Sequence, residues 1–347
     1  MFSKKTVFIV GAGGSREVGL PMGEELKGII AEKVRIQFKN GYEQSAGDFT
    51  ISDALRKIVA ATGKNDINPY LHAGWSIADG MPQAPSIDNY LNTHSDDEKV
   101  VLMGKLGIAM SILHAEKGSK IFCNPQVSDR ILFGSIPESW HATFCKILME
   151  NVKRSNIENM FDDVAFITFN YDRCIEHYLA QALANYLRMP HNEAQALVNR
   201  VNIIHPYGQV GRLPWQTNAG QGVPYGALPH SANLVEIAAQ IRTFTERVDD
   251  DTMLERMRGV IAEAEMVVYL GFSYGDMNME LMSIREEVTP RHVLGTSFGL
   301  SHSNKRVIER DIRNAMGPTS IAVTSLELAD MTCNDLLNAY QRFILRG

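Results

Sequence analysis

The residues best suited to chemistry stand near the start of the chain. An apolar run, TVFIV (6–10), enters the cluster Gly11-Ala12-Gly13-Gly14-Ser15, and the chain then passes Gly19-Leu20-Pro21 into a helical segment. Glycines directly after a strand permit positive φ and close approach of the backbone to a ligand. A helix N-terminus behind such a loop offers amides and partial positive charge to a phosphate. A plain strand-to-helix turn explains the same glycines. The dinucleotide fingerprint G-x-G-x-x-G requires glycine at 16, where Arg16 stands, and its acidic ribose residue about 20 positions on is not evident. A P-loop fails for want of Gly-Lys-Ser/Thr. Ten histidines offer proton transfer near neutral pH. The four cysteines, Cys123, Cys145, Cys174 and Cys333, form no C-x-x-C pair, so a disulfide framework, a zinc knuckle and any metal site are not expected. The acidic runs 95–99 and 247–251 read as solvated faces.

These residues need a scaffold, and 347 positions suffice for one large domain with an insertion, or for two domains. Apolar strands are expected at 6–10, 164–169, 201–205, 266–272, 292–298 and 320–324, with helical segments between them. Near-continuous apolar strands imply a sheet covered on both faces. The expected class is therefore α/β, doubly wound, with a mostly parallel Rossmann-like sheet and a large helical insertion. The core is placed at 1–44 and 159–330, the insertion at about 45–158, and a C-terminal helix at about 325–347. Helices are expected at 50–62, 96–116 and 139–154. The Gly- and Pro-rich stretches 68–86 and 211–231 read as lid or interface loops. A formal charge of -6 gives no support for nonspecific nucleic-acid binding. No apolar run reaches the roughly 18 residues of a membrane helix, and the N-terminus reads as a buried strand rather than a signal peptide. A cytoplasmic setting with reduced thiols is the expectation.

The spacing Gly11-Ala12-Gly13-x-Ser15-x-x-x-Gly19-Leu20-Pro21 resembles the NAD-binding loop of the sirtuin family. Three further stretches follow in the family's order. ITFNYDRCIEHYL (167–179) places Phe169-Asn170-Tyr171-Asp172 where sirtuins carry Gln-Asn-Ile-Asp, with Phe169 replacing the glutamine. Asn-Tyr-Asp followed by Glu176 is similar to the bacterial sirtuin-like defence branch. VNIIHPYGQVG (201–211) places His205 where the family's catalytic base precedes glycine, with Pro206-Tyr207 inserted before Gly208. VVYLGFSYGDMNM (267–279) sets Gly271-Phe272-Ser273 at the family's Gly-Thr-Ser turn, and Asp276 matches an acid of the defence branch. PSIDNYL (85–91) resembles that branch's helical part. Each of the four main motifs ends an expected strand, the edge where open α/β sheets bind ligands.

The resemblance implies Asn170 and His205 as catalytic residues. It implies cofactor contacts from Gly11, Ala12, Gly13, Ser15, Leu20, Pro21, Asp172, Gly271, Phe272, Ser273 and Asp276. Other readings stay open: Asn170 suits a helix N-cap, Asp172 and Glu176 suit a helix's first turn, Ser273 suits a turn, and Cys174 suits a small core position. Sirtuins carry a four-cysteine zinc module that helps form the peptide groove, and this chain lacks its cysteine pairs. What remains is cleavage of the nicotinamide–ribose bond of NAD, here a substrate. Nicotinamide leaves as a neutral molecule from a cationic ring and needs no acid, and the transition state is oxocarbenium-like. Asn170 would place water or the ribose hydroxyls, and His205 would accept a proton. The expected activity is an NAD+ glycohydrolase (NAD+ nucleosidase) yielding ADP-ribose and nicotinamide, an effector of bacterial antiviral defence. Restraint by homo-oligomer assembly or by a partner such as a HerA-type ATPase is what the resemblance implies. The alternatives are an NAD- or ADP-ribose-binding assembly subunit with little turnover, and a deacylase or ADP-ribosyltransferase.

Overall fold

The computed structural model describes residues 2–346 apart from 125, 129, 151, 217–221, 249–250, 287 and 320–321. Its strands are β1 (Thr6–Val10), β2 (Gln37–Lys39), β3 (Glu43–Ala46), β4 (Val164–Thr168), β5 (Asn202–Ile204), β6 (Met266–Leu270), β7 (Arg291–Thr296) and β8 (Val323–Ala329). The first helices are α1 (Ala12–Arg16), α2 (Gly23–Val34), α3 (Phe49–Ala61), α4 (Asn68–Gly80), α5 (Ile87–Thr93), α6 (Glu98–Gly118) and α7 (Trp140–Met149). Then come α8 (Cys174–Tyr186), α9 (His191–Val198), α10 (Ser231–Ala238), α11 (Phe244–Val248) and α12 (Asp251–Glu263). The last are α13 (Asp276–Leu281), α14 (His302–Ala315) and α15 (Cys333–Arg346).

Six strands form one sheet in the order β5-β4-β1-β6-β7-β8, and every pairing is parallel. Counted within that sheet in chain order, the arrangement is 3-2-1-4-5-6, the doubly wound dinucleotide-fold order, with its switch point at β1. The chain is therefore an α/β, Rossmann-like fold. β1, β4 and β6 are buried at every residue, because each face carries its own core. Val7, Ile9, Ile167, Val267 and Tyr269 join one apolar cluster with α2 to α6. Phe8, Val10, Phe166, Val268 and Leu270 join the other with α7, α8, α9 and α15. The period-2 alternation of a strand sorts neighbouring residues into these two cores.

Between β1 and β4 the chain builds α1 to α7 and a small antiparallel hairpin, β2–β3, whose short, half-exposed strands carry no apolar run. Stretch 68–86 is not a loop: its first part is α4. Pro69 sits in the first turn, where its missing N–H costs nothing. Gly74 is there for close packing, since a Cβ would lie 2.4 Å from the Val34 carbonyl oxygen. The stretch 211–231 is tied down at several points. Arg173 donates to the carbonyls of Gly211 (3.3 Å), Val223 (2.5 Å) and Pro224 (3.3 Å). Its residues 217–221 lie outside the described ones, as do 320–321 of the expected last strand and 249–250 of the acidic run. That strand is found at Val323–Ala329, so the final helix begins at Cys333 rather than near 325. No helix among the described residues is long and apolar enough to cross a membrane.

Candidate functional site

Three turns at the C-terminal ends of β1, β4 and β6 meet at the switch point. The Gly11 amide donates to Leu270 O (3.0 Å) and the Gly13 amide to Gly271 O (3.0 Å). The Gly14 amide donates to Gly11 O (2.9 Å). These glycines therefore serve turn-on-turn packing: a Cβ on Gly11 would lie 2.6 Å from Gly271 O, and one on Gly271 (φ 58°) would lie 2.1 Å from the Gly14 nitrogen. The expectation of an open amide cradle ahead of a helix is corrected here. Those three amides are spent within the turns, and α1 spans only 5 residues.

Beneath this loop lies a buried polar network. Ser15 Oγ donates to Asp172 Oδ2 (2.8 Å). Asn170 Nδ2 donates to Gly11 O (3.0 Å) and Ser15 Oγ (2.9 Å). Both Asn170 Nδ2 hydrogens are thereby engaged. Asp172 Oδ1 accepts the Cys174 amide (3.0 Å) at the turn into α8, whose N-cap position is Arg173 rather than Asn170. Ser15, Asn170 and Asp172 are all buried.

His205 follows β5 and joins this network from the side. Its Nε2 faces Glu176 Oε1 at 2.9 Å, and its Nδ1 faces the Asn170 carbonyl at 3.3 Å. Burial alone would lower the imidazole pKa, but the Glu176 carboxylate outweighs it and holds His205 above its ordinary 6.5. Glu176 is held below 4.5 by the same pairing, against the opposing effect of burial. Glu176 Oε2 is buried and unpartnered. Glu176, which by sequence suits a helix's first turn, is here the partner of His205, a contact between segments 29 residues apart that no local spacing signals.

The departures from the sirtuin pattern share one environment. Phe169 packs on Phe272 (centroids 5.2 Å apart) and on Tyr207 (5.9 Å). Tyr207 donates to Asn278 Oδ1 (2.7 Å), and Tyr171 donates to Asp88 of α5. Burial, the first cause, pushes Asp88 up, against the bond from Tyr171. Phe272 thus turns its ring into the aromatic floor, whereas Ala12, Ser273 and Asp276 are exposed and take no part in the buried network. Leu20 and Pro21 line a cleft of about 550 Å³ between the glycine loop, α2 and α6. Arg16, Ile29, Ser111 and His114 also line it; Ser15, Asn170, Asp172 and His205 do not. Ser111 Oγ is buried there without a hydrogen-bond partner. Arg16 donates to Glu25, whose carboxylate also accepts the Met22 amide at 3.1 Å. Ser111 and His114 belong to the helical stretch and carried no motif in the sequence.

Long-range supports hold the loop. Glu17 accepts the amides of Trp140 (2.6 Å) and Asn334 (2.9 Å), so one carboxylate serves the N-terminal ends of α7 and α15. Trp140 Nε1 donates to Gly14 O (2.9 Å). Arg173, next to Asp172, forms a fully buried pair with Glu116 of α6, with Nε–Oε1 3.0 Å and Nη2–Oε2 2.5 Å. Cys174 is buried, and its thiol is pushed well above the ordinary range by burial, as a core position requires. Cys145, Cys174 and Cys333 are free thiols, and no group of three His, Cys, Asp or Glu among the described residues is placed to hold a metal.

No protein-family model matches the chain, nor does any curated protein. Two solved structures are similar over most of its length. One is a Sir2-homologue mutant in complex with 2'-O-acetyl ADP ribose: 11% identity, 99% of this chain and 92% of that chain, TM-score 0.40. The other is a Sir2 homologue–NAD complex: 11% identity, 99% and 90%, TM-score 0.39.

Proposed function

We infer that the protein is an NAD+ glycohydrolase that cleaves NAD+ to ADP-ribose and nicotinamide. The observation that carries this reading is the convergence of Ser15, Asn170, Asp172 and His205 in one buried network at the switch point of the sheet. The motif order of the sequence supports it. On this proposal Gly11, Ala12, Gly13, Gly271, Phe272 and Ser273 form the rim crossed by the diphosphate, with Asp276 at its outer end. Leu20 and Pro21 border the cleft that takes the departing nicotinamide. Asn170 Oδ1 orients the attacking water or a ribose hydroxyl. His205, oriented by Glu176, takes the proton. Its longer contact, 3.3 Å to the Asn170 carbonyl, is the one that water would replace. NAD is the substrate and no metal takes part. Residues 1–347 act as one sirtuin-like unit, with a Rossmann-like core and the helices of about 45–158 as its insertion. Service as an effector of bacterial antiviral defence, as a homo-oligomer or beside a HerA-type ATPase, belongs to the same proposal.

Nicotinamide release from NAD+, resolved by chromatography, tests it. Wild type is expected to turn over, and Asn170→Ala and His205→Ala to lose at least about 10²-fold while staying folded, the scale of general-base catalysis. Variants equal to wild type refute the assignments. A second reading, a nucleotide-binding subunit with little turnover, is favoured by the engagement of both His205 nitrogens. It predicts NAD or ADP-ribose binding with no nicotinamide released.

A further inference from the structure

We propose that Phe298, in the turn after β7, is a stacking platform for the purine base of the bound nucleotide; this rests on the reading of the sheet edge as a nucleotide site. Parallel register defines the position. Val10 pairs with Thr168 and Leu270, Tyr269 with Gly295, and Thr296 with Ala329. One residue further on, Phe169, Gly11, Gly271, Ser297 and Asp330 stand in a single row across the edge. The reacting end of the site lies at β4 and β5, with Asn170 and His205. β7 is three strand spacings from β4, about 14 Å. Two riboses joined by a diphosphate separate the two ring systems of an extended dinucleotide by that order of length. With the nicotinamide end at Asn170, the base therefore falls over β7.

Phe298 is 72% exposed there. The other aromatics of this edge, Phe169, Phe272 and Tyr274, are buried against one another or their neighbours. Among the described residues Phe298 stacks on no ring. Its exposure belongs to a fixed turn. Gly299 (φ 72°) donates its amide to Asp330 Oδ1 (2.9 Å), Leu300 N donates to Ser297 O (3.0 Å), and Ser301 caps α14 through Asn304 N (3.2 Å). A rigidly presented, unpartnered ring suits the face of a flat heteroaromatic base.

The test titrates AMP and, separately, nicotinamide mononucleotide into the full chain by calorimetry, with Phe298→Ala and Phe298→Trp alongside wild type. AMP affinity is expected to fall about tenfold in Phe298→Ala and return in Phe298→Trp, with nicotinamide mononucleotide unchanged. Adenine protons are expected to shift upfield in wild type and not in Phe298→Ala. Equal AMP affinity in wild type and Phe298→Ala, equal loss for both ligands, or no AMP binding to wild type would overturn the proposal. AMP binding that depends on Phe298, in a protein that releases no nicotinamide, would sink the hydrolase reading and leave the platform standing.

Discussion

At the scale of single residues, the informative group is the His205–Glu176 pair. His205 has a raised pKa and Glu176 a lowered one, so the folded state favours the ion pair. Its stabilisation is complete only between the unfolded values, 4.5 for Glu176 and 6.5 for His205. It is lost as pH rises through the raised His205 pKa, and lost again as pH falls through the lowered Glu176 pKa. Glu176→Gln is expected to flatten both limbs of a thermal-midpoint-versus-pH curve; unchanged limbs would show that the pair is not ionised. For turnover the sign is opposite on the alkaline side, because a base works when deprotonated. Nicotinamide release is expected to climb through a pH above 6.5, and Glu176→Gln to move that climb to lower pH. Asn170 could not be separated from a helix cap by spacing alone. Its bonds to Gly11 and Ser15, and the N-cap position of Arg173, make that distinction.

At the scale of elements, the site depends on turns held from far along the chain. Arg173 and Glu116 join α8 to α6 with no exposed surface on either side chain. Removing one partner leaves a buried charge, so Glu116→Ala is expected to cost about 3–5 kcal/mol in urea unfolding. A cost below about 1 kcal/mol would mean water reaches the pair. Gly271 combines φ 58° with no room for a Cβ, which would lie 2.1 Å from the Gly14 nitrogen. Gly271→Ala is expected to lose more than the roughly 1–2 kcal/mol of left-handed strain, because the glycine loop must also move away. The ion pair is not visible in a motif, since Glu116 and Arg173 are 57 residues apart.

At the scale of the whole molecule, the sheet brings the turns after β1, β4 and β6 together and the helical layer supplies the wall opposite. The cleft of about 550 Å³ lies within the usual range for small-molecule sites. Ser111→Leu would fill its floor. It is expected to reduce nicotinamide release at least about tenfold while costing less than the roughly 1–3 kcal/mol of overpacking a closed core. Full activity in that variant would place the departing ring elsewhere. Bound NAD is expected to raise the thermal midpoint with concentration, as any ligand of the folded state does.

The six strands of the parallel sheet were legible in the sequence, the last of them displaced by a few residues, but their order across the sheet was not. A buried parallel strand writes itself as an apolar run. Positions 68–80 misled because glycine signals either a turn or a close approach, and only the neighbouring Val34 backbone decides which. The tertiary structure alone paired Glu176 with His205, set Glu17 across two helix ends, and spent the loop's amides on Gly271 and its neighbours. Those are contacts between segments distant in sequence or matters of side-chain direction. Local propensity carries no information about them, because they exist only once β1, β4, β5 and β6 lie side by side.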